Sequence, residues 1–161
     1  MEIERKWLFD TVIVSESAKL LQKVKYGQAY LSVDPEIRIR WKKRKVGEQT
    51  YKLCIKSQGT LERVKVEKDL TKEEFDKLMT IGHLTEDDFI IKDIYIYEVG
   101  GNRIDIGITD VGRDTEYIYG KMEFDSLENA NAFVVPDWFG KEITNDSEYK
   151  MVNYWKRTRN K

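Results

Sequence analysis

The sequence predicts a mainly β protein of the α+β class, with about eight antiparallel strands closed into a barrel and helices packed outside it. Short stretches of alternating charged and apolar residues recur along the 161-residue chain, and this alternation is the period of a β-strand. Their charged faces are mostly cationic, although the formal net charge is −1. The helical segments are too few to build a separate core, so we expect them to cover the apolar outside of the sheet.

The predicted strands follow one another with turns between them. The turn signals are Asp34-Pro35, Val46-Gly47, Gln58-Gly59 and Gly100-Gly101. The predicted strands span residues 2–9, 23–33, 37–45, 50–57, 61–69, 88–98, 102–109 and 116–125. Many short strands with tight connections favour a barrel or a sandwich.

Four segments depart from the strand period and are predicted to be helical. Thr71 is the expected N-cap of a helix with acidic residues in its first turn. Ser15–Leu21 predicts a short helix that begins at a serine. Ser126 opens another helix that runs to about Phe133, and the tail Ser147–Arg157 is also predicted to be helical.

Composition narrows the class of protein. Charged residues are 35% of the chain and hydrophobic residues 40%, so we expect one globular domain over residues 1–161. No apolar run is long enough to cross a bilayer, and no signal peptide is visible, so we expect a cytoplasmic protein without membrane contact. A single cysteine excludes an intramolecular disulfide. The near-neutral charge argues against a general nucleic-acid coat protein, although it leaves a local basic site open. We expect no specific nucleic-acid partner, and a homodimer stays open.

Each predicted strand places its charged residues on one face, because residues two apart point the same way. An ordinary sheet with a solvated face explains any one strand, but ten cations against five acids favour a closed barrel with a charged interior. The cations are Lys6, Arg38, Arg40, Lys42, Lys52, Lys56, Arg63, Lys65, Arg103 and Lys121. The acids are Glu2, Glu4, Glu67, Asp105 and Glu123.

A cationic interior predicts a polyanionic ligand, because like charges held at close range repel one another. Arginine and lysine side chains match phosphate oxygens. Clustered carboxylates suit Mg²⁺ or Mn²⁺. The combination is what metal-assisted phosphoryl chemistry requires.

Several strands resemble signature segments of the CYTH superfamily, the triphosphate tunnel metalloenzymes. Glu2-Ile3-Glu4-Arg5-Lys6 resembles the ExExK motif of that family, and Arg38-Ile39-Arg40 resembles its RxR strand. The further similar positions are Lys56, Arg63, Glu67, Glu123 and residues 137–144. The resemblance covers nearly the whole chain. It implies an eight-stranded antiparallel tunnel that acts on a small-molecule triphosphate with a divalent metal.

The resemblance also implies a role for individual residues. The implied catalytic residues are Glu2, Glu4 and Lys6. The implied ligands of a Mg²⁺ or Mn²⁺ cofactor are Glu2, Glu4, Glu67 and Glu123. The implied triphosphate-binding residues are Lys6, Arg38, Arg40, Lys52, Lys56, Arg63, Lys92 and Lys141.

Three positions depart from the family pattern. Lys65 and Lys121 stand where the family usually has acids, and Ile94 stands where it commonly has arginine. The two acid-to-base changes remove candidate metal ligands and make the interior more basic.

Three functions are open at this stage. Metal-dependent hydrolysis of a triphosphate is the leading hypothesis, and inorganic triphosphate is favoured over nucleoside or thiamine triphosphates because no obvious insert exists to bind a ring. A class IV adenylate cyclase that makes cyclic AMP from ATP is the first alternative. A non-catalytic polyphosphate- or nucleotide-binding protein is the second, and the departures at Lys65, Ile94 and Lys121 motivate it.

Overall fold

The computed structural model describes residues 1–45 and 47–159. The strands are β1 (Glu2–Phe9), β2 (Lys19–Val33), β3 (Glu36–Lys45), β4 (Glu48–Lys56), β5 (Glu62–Arg63), β6 (Lys65–Leu70), β7 (Ile90–Val99), β8 (Asn102–Thr109) and β9 (Tyr117–Glu123). The α-helices are α1 (Lys72–Ile81), α2 (Leu127–Ala132) and α3 (Met151–Arg159). Single 3-10 turns span Glu86–Asp88 and Ser147–Tyr149. None of the helices in these two ranges is both long and apolar enough to cross a membrane.

The strands pair antiparallel and close on themselves. Their order in the sheet is β5-β1-β9-β8-β7-β2-β3-β4-β6. The two strands at the ends of this order, β5 and β6, are separated along the chain by Val64 alone. Residues 62–63 pair with β1, and residues 65–70 pair with β4. One continuous segment therefore joins the two ends of the sheet and produces a nearly closed barrel.

The predicted fold class is confirmed, and the strand count differs by one. A single strand was predicted over residues 61–69, where the structure has β5 and β6. The chain changes partner at Val64, whose backbone N–H donates to Ser57 Oγ at 2.9 Å. The Val64 carbonyl accepts a hydrogen bond from the Ser57 N–H, also at 2.9 Å. Counted as one interrupted strand, β5 and β6 give the expected eight.

Apolar side chains cover the outside of the barrel. Trp7 is only 1% exposed, and its ring packs edge-on against Phe139 with centroids 5.0 Å apart. On another side, Phe75 of α1 lies against Tyr51 of β4, with centroids 4.8 Å apart. The outer faces of the strands are therefore the apolar ones, and the charged faces point inward.

The helix termini follow the sequence prediction at Thr71 and Ser126. The Thr71 hydroxyl accepts a hydrogen bond from the Glu74 N–H, and the Glu74 carboxylate accepts one from the Thr71 N–H. This reciprocal pair is a capping box, which satisfies two backbone donors at the start of α1. The Ser126 hydroxyl accepts from the Asn129 N–H in the same way at the start of α2.

A segment near residue 142 runs beside β1 on the outside of the barrel. The Leu8 N–H donates to the Lys141 carbonyl at 2.8 Å, and the Ile143 N–H donates to the Lys6 carbonyl at 2.8 Å. Arg5 reinforces this docking with a two-pronged ion pair to Glu142. The segment therefore fixes the orientation of β1, the strand that carries the ExExK motif.

Helix α3 packs on one end of the barrel. The Trp155 ring lies 5.4 Å from that of Tyr30. The Arg159 guanidinium donates to both carboxylate oxygens of the buried Asp110, at 2.6 and 2.9 Å. Met151, the first residue of the helix, lines the cavity inside the barrel. The helix therefore contributes directly to the interior as well as to the outer packing.

The helix predicted over Ser15–Leu21 is wrong. Residues 16 and 17 form a turn, in which the Ala18 N–H donates to the Ser15 carbonyl at 2.9 Å. Strand β2 begins at Lys19, which pairs with Glu98 of β7. The hydrogen-bonding edge of β7 competes successfully with the weak helical preference of this short segment, because tertiary pairing overrides local propensity.

The predicted turns at Gly47 and at Gly100-Gly101 contain glycines with positive φ values, a conformation that glycine adopts easily. Gly100 and Gly101 have φ values of 55° and 80° between β7 and β8, as a tight hairpin turn of this kind requires. Gly47 has a φ of 81° before β4, and its predicted turn partner Val46 lies outside the described residues.

Candidate functional site

A cavity inside the barrel is lined mainly by charged side chains. Its cationic residues are Lys6, Arg38, Arg40, Lys56, Arg63, Lys92 and Lys121. Its acidic residues are Glu4, Glu36 and Asp105, and the rest of the lining is Tyr26, Gln28, Ile94, Tyr119 and Met151. Seven cations against three acids in a confined space favour a ligand with several negative charges.

Strand register brings charged residues that are far apart in sequence into contact. In the β1–β9 pair, Glu4 lies opposite Glu123 and Lys6 lies opposite Lys121. Residues directly opposite one another in an antiparallel pair point to the same face of the sheet. The inward face of this pair therefore carries two acids beside two lysines.

Three carboxylates form a compact cluster at this place. Glu2, Glu4 and Glu123 each offer an oxygen atom, and these atoms lie within 4.8 Å of one another. Glu2 and Glu4 are buried, whereas Glu123 is exposed. The Oε2 atom of Glu4 is buried and has no hydrogen-bond partner among the described residues. Clustered carboxylate oxygens with a free lone pair are suitable ligands for Mg²⁺ or Mn²⁺, so these residues fit a divalent ion.

Cations surround Glu2 on both of its oxygens. Lys56 Nζ lies 3.0 Å from Oε1, and Lys65 Nζ lies 3.0 Å from Oε2. Burial and the neighbouring Glu4 would raise the pKa of Glu2, but Lys56 and Lys121 outweigh them, and the pKa of Glu2 is lowered. Glu2 is therefore an ionised carboxylate at neutral pH.

The charge of Glu4 is maintained in the same way. Lys6 Nζ lies 3.2 Å from Oε1, and Lys121 Nζ lies 3.8 Å from Oε2. Burial alone would raise the pKa of Glu4, but Lys6 and Lys121 hold that pKa well below its ordinary value. The barrel therefore stabilises a buried anion at the centre of the acidic cluster.

Arg63 connects several of these carboxylates. Its NH1 atom lies 2.9 Å from Glu36 Oε2, and its NH2 atom lies 3.5 Å from Glu2 Oε1 and 3.7 Å from Glu4 Oε1. Sequence reasoning did not single out Glu36, because the predicted strand began one residue later. The signal was present, since Glu36 stands two residues before Arg38 and so shares its face.

Lys92 and Tyr119 form a buried pair. Lys92 Nζ donates a hydrogen bond of 2.9 Å to the Tyr119 hydroxyl oxygen. Burial and the nearby cations Arg38 and Lys121 hold the pKa of Lys92 well below its ordinary value. Lys56 shows a milder effect, since burial and Arg38 lower its pKa to about 8. The cavity therefore holds cations that other cations destabilise, and an anion would relieve that repulsion.

Two guanidinium donors on residues that line the cavity have no acceptor among the described residues. The Nε atoms of Arg38 and Arg63 are buried and make no hydrogen bond within the described part of the chain. A buried donor without a partner is costly, and native proteins rarely leave one unless a ligand or water satisfies it. These N–H groups are therefore suited to the oxygens of an anionic ligand.

Lys52 and Glu67 lie apart from the three-carboxylate cluster. Lys52 Nζ lies 3.3 Å from Glu67 Oε2 and 3.8 Å from Asp69, and Lys65 contacts the other Glu67 oxygen at 3.3 Å. Burial would raise the pKa of Glu67, but Lys65 and Lys52 lower it to about 2. Glu67, which the family resemblance implied as a metal ligand, is thus held by two lysines and is not brought to the acidic cluster.

The other residues singled out from the sequence differ in whether they line the cavity. Arg40 lines the cavity, and its guanidinium lies 4.7 Å from the centre of the Tyr26 ring. Ile94 also lines the cavity. Lys141 is exposed, and its backbone carbonyl is the group that contacts β1. The structure therefore does not bring Lys141 to the other candidate phosphate-binding residues.

Comparison with known proteins agrees with the geometry, although no family model matches the chain. The inorganic triphosphatase of Nitrosomonas europaea is 31% identical to this chain over 149 residues, which are 92% of this chain and 93% of that protein. The chain belongs to the triphosphate tunnel metalloenzymes, the CYTH superfamily. The interior cations and the acidic cluster therefore lie in the tunnel of a member of that superfamily.

Two solved structures share the fold of this tunnel protein. The crystal structure of an inorganic triphosphatase is 28% identical, covers 96% of this chain and 93% of its own, and has a TM-score of 0.60. A protein from Pyrococcus horikoshii has a TM-score of 0.59 over 81% of this chain and 82% of its own. The second protein is 16% identical, so it supports the fold alone.

Proposed function

We propose that this chain is a metal-dependent triphosphatase and that inorganic triphosphate is its substrate. The observation that carries the proposal is a pair of buried guanidinium N–H groups, on Arg38 and Arg63, that have no partner among the described residues. Both residues line a cavity rich in cations. Such donors match phosphate oxygens in both charge and geometry. The relationship to an inorganic triphosphatase supports the choice of substrate.

The cationic side chains would bind the triphosphate and neutralise its charge. Arg38, Arg40, Lys56 and Lys92 enter the cavity from β3, β4 and β7 and surround it on different sides. Because the folded barrel already holds these charges in place, little reorganisation is needed when negative charge grows on the departing phosphate group. Their role is therefore to position the chain of phosphates and to stabilise the transition state.

The acidic cluster would hold the divalent cofactor. Glu2, Glu4 and Glu123 are the residues that fit Mg²⁺ or Mn²⁺, and Lys6 keeps Glu4 ionised for that purpose. When bound, such an ion polarises a phosphoryl oxygen and lowers the pKa of a coordinated water. Glu2 is fixed by Lys56 and Lys65, so its carboxylate is oriented before any ligand arrives.

The experiment is an assay of the purified protein with Mg²⁺ or Mn²⁺ and, separately, inorganic triphosphate, ATP and thiamine triphosphate. Phosphate release and cyclic AMP formation are both measured. We expect phosphate release, fastest with inorganic triphosphate, and loss of turnover of at least about a hundredfold in Glu4→Gln. Lys141→Ala is the matched control, because its side chain lies outside the cavity, and it should retain full turnover.

Absence of phosphate release from all three substrates would refute the hydrolase hypothesis. Formation of cyclic AMP from ATP would show that the protein is a cyclase instead. A binding protein without turnover is the second candidate, because Lys65 and Lys121 pair with the acids of the cluster. It predicts that triphosphate binds in the presence of EDTA and is not hydrolysed when metal is added. Unchanged triphosphate affinity in Arg38→Ala and Lys56→Ala would contradict both candidates.

A further inference from the structure

Lys121 lies between two members of the acidic cluster. Its Nζ atom is 3.8 Å from Glu4 Oε2 and 3.7 Å from Glu123 Oε1. The first of these oxygens is the buried one that has no hydrogen-bond partner among the described residues. The Lys121 ammonium therefore balances the charge of the cluster without forming a close hydrogen bond to Glu4.

A divalent ion and this ammonium group cannot occupy the same place. Carboxylate oxygens bind Mg²⁺ at about 2.0–2.1 Å, so an ion shared by Glu4 and Glu123 would lie within about 6 Å of Lys121 Nζ, which is 3.8 and 3.7 Å from their oxygens. A divalent cation and an ammonium group at such a distance repel each other, and the burial of Glu4 limits the screening of that repulsion by water. Movement of the ammonium away from the carboxylates would therefore favour the binding of an ion to both of them.

The Lys121 side chain has room for this movement. It is 31% exposed, in contrast to the 3% of Glu4, and four rotatable bonds separate its charge from the backbone. Strand β9 places it opposite Asp105 of β8 and Lys6 of β1, and it lines the cavity. Because Lys121 lines the cavity, rotation of its side chain can carry the ammonium into the space where phosphate groups would lie.

We propose that Lys121 is a built-in counter-cation, which occupies the metal site of the substrate-free protein and yields it to a divalent ion. The inference rests on the proposed function in one respect, because a triphosphate is the anion that would receive the displaced ammonium. Two consequences follow. The substrate-free protein binds divalent ions weakly, and metal and triphosphate each strengthen the binding of the other.

Lys65 provides a contrast at the same site. Its Nζ atom is 3.0 Å from Glu2 Oε2 and 3.3 Å from Glu67 Oε1, so it links the cluster to a carboxylate outside it. Lys65 therefore holds Glu2 in position and does not lie between two members of the cluster.

The test is a titration of the substrate-free protein with Mn²⁺, in which electron paramagnetic resonance reports the free ion. The variants are Lys121→Gln and Lys121→Met, which remove the charge, and Lys121→Arg, which keeps it. Lys25→Gln is the control for net charge, because Lys25 pairs with Asp93 away from the cavity lining. We expect Mn²⁺ affinity to rise about tenfold or more in the two uncharged variants. Lys121→Arg and Lys25→Gln should bind Mn²⁺ as the wild type does.

Circular dichroism identifies which variants are folded, and either uncharged variant is sufficient for the test. Mn²⁺ affinity that is unchanged or weaker in a folded uncharged variant would overturn the proposal, as would an equal rise in Lys25→Gln. The titration contains no triphosphate and measures no turnover. A failure of the hydrolysis assay therefore refutes the proposed function without affecting the Mn²⁺ titration. A failure of the titration refutes the role of Lys121 without affecting the proposed function.

Discussion

The Arg63 guanidinium donates a hydrogen bond of 2.9 Å to the Glu36 carboxylate, and both side chains are buried. Arg63 belongs to β5, and Glu36 is the first residue of β3. The same guanidinium also reaches Glu2 and Glu4 of β1. One side chain on the closing segment of the barrel therefore connects two strands that are not neighbours in the sheet.

Removal of Arg63 should be strongly destabilising. Arg63→Met leaves buried carboxylates without their shared cation, and we expect a loss of about 3–5 kcal/mol in the free energy of unfolding. The measurement is urea denaturation followed by fluorescence. A second change, Glu36→Gln, should recover part of the loss, because it removes one of the unpaired charges. A loss below about 1 kcal/mol, the range of exposed ion pairs, would contradict this account.

Triphosphate affinity should depend on the protonation of Lys56, whose pKa burial and Arg38 lower to about 8. The protonated form attracts phosphate, so its contribution is present below about pH 8 and is lost as the pH rises through that value. Calorimetry with EDTA and inorganic triphosphate between about pH 7 and 9.5 would show the decline. Lys56→Arg keeps its charge over this range, so its affinity should decline less. Parallel curves for both proteins would count against the prediction.

The Lys92–Tyr119 pair should behave as a unit. Tyr119→Phe removes the acceptor of a buried amine, and we expect it to cost about 1–3 kcal/mol of unfolding free energy. In a Lys92→Met background, the same substitution should cost less, because no donor is left unpaired. Thermal or urea unfolding of the four proteins gives the coupling energy. Strictly additive losses would show that the hydrogen bond contributes little.

Gly140 should be intolerant of any side chain. A Cβ atom at this position would meet the Leu8 carbonyl of β1, and a backbone atom cannot move aside cheaply. Gly140→Ala should therefore destabilise the protein by about 1–3 kcal/mol through overpacking. The neighbouring substitution Lys141→Ala is the control and should change stability by less than about 0.5 kcal/mol, because its side chain is exposed. Equal stability of both variants would refute the close docking of this segment.

Much of the barrel could be predicted from the sequence, because alternation separates the two faces of each strand. The predicted bounds of β8, residues 102–109, agree with the structure. The same reasoning predicted that Glu2 and Glu4 share an inward face, and the structure brings them to Glu123. Their role as metal ligands stays a prediction, as do the roles of the cationic residues.

Other features depend on tertiary contacts, which the local sequence pattern does not predict. Met151 enters the cavity because α3 packs on the end of the barrel, and its own sequence shows only a helical period. The division of residues 61–70 into β5 and β6 follows from a change of partner strand at Val64. Ser15–Leu21 was predicted to be helical from its local pattern, which begins with a serine. The β7 residue that pairs with Lys19, Glu98, lies far away in sequence, so the local pattern could not reveal the pairing. These three features are set by tertiary structure.

The closing segment has a consequence for how the protein resists aggregation. A nearly closed barrel leaves fewer strand edges unpaired than an open sheet does, so another chain has fewer places to add a strand. Its shortest junction is the two-residue pairing of β5 with β1, at Glu2 and Ile3, and opening there would expose edges on both sides. A bound polyanion that contacts Arg63 together with cations of other strands would hold the two sides of this junction together. Substrate should therefore protect the protein from self-association as well as from unfolding.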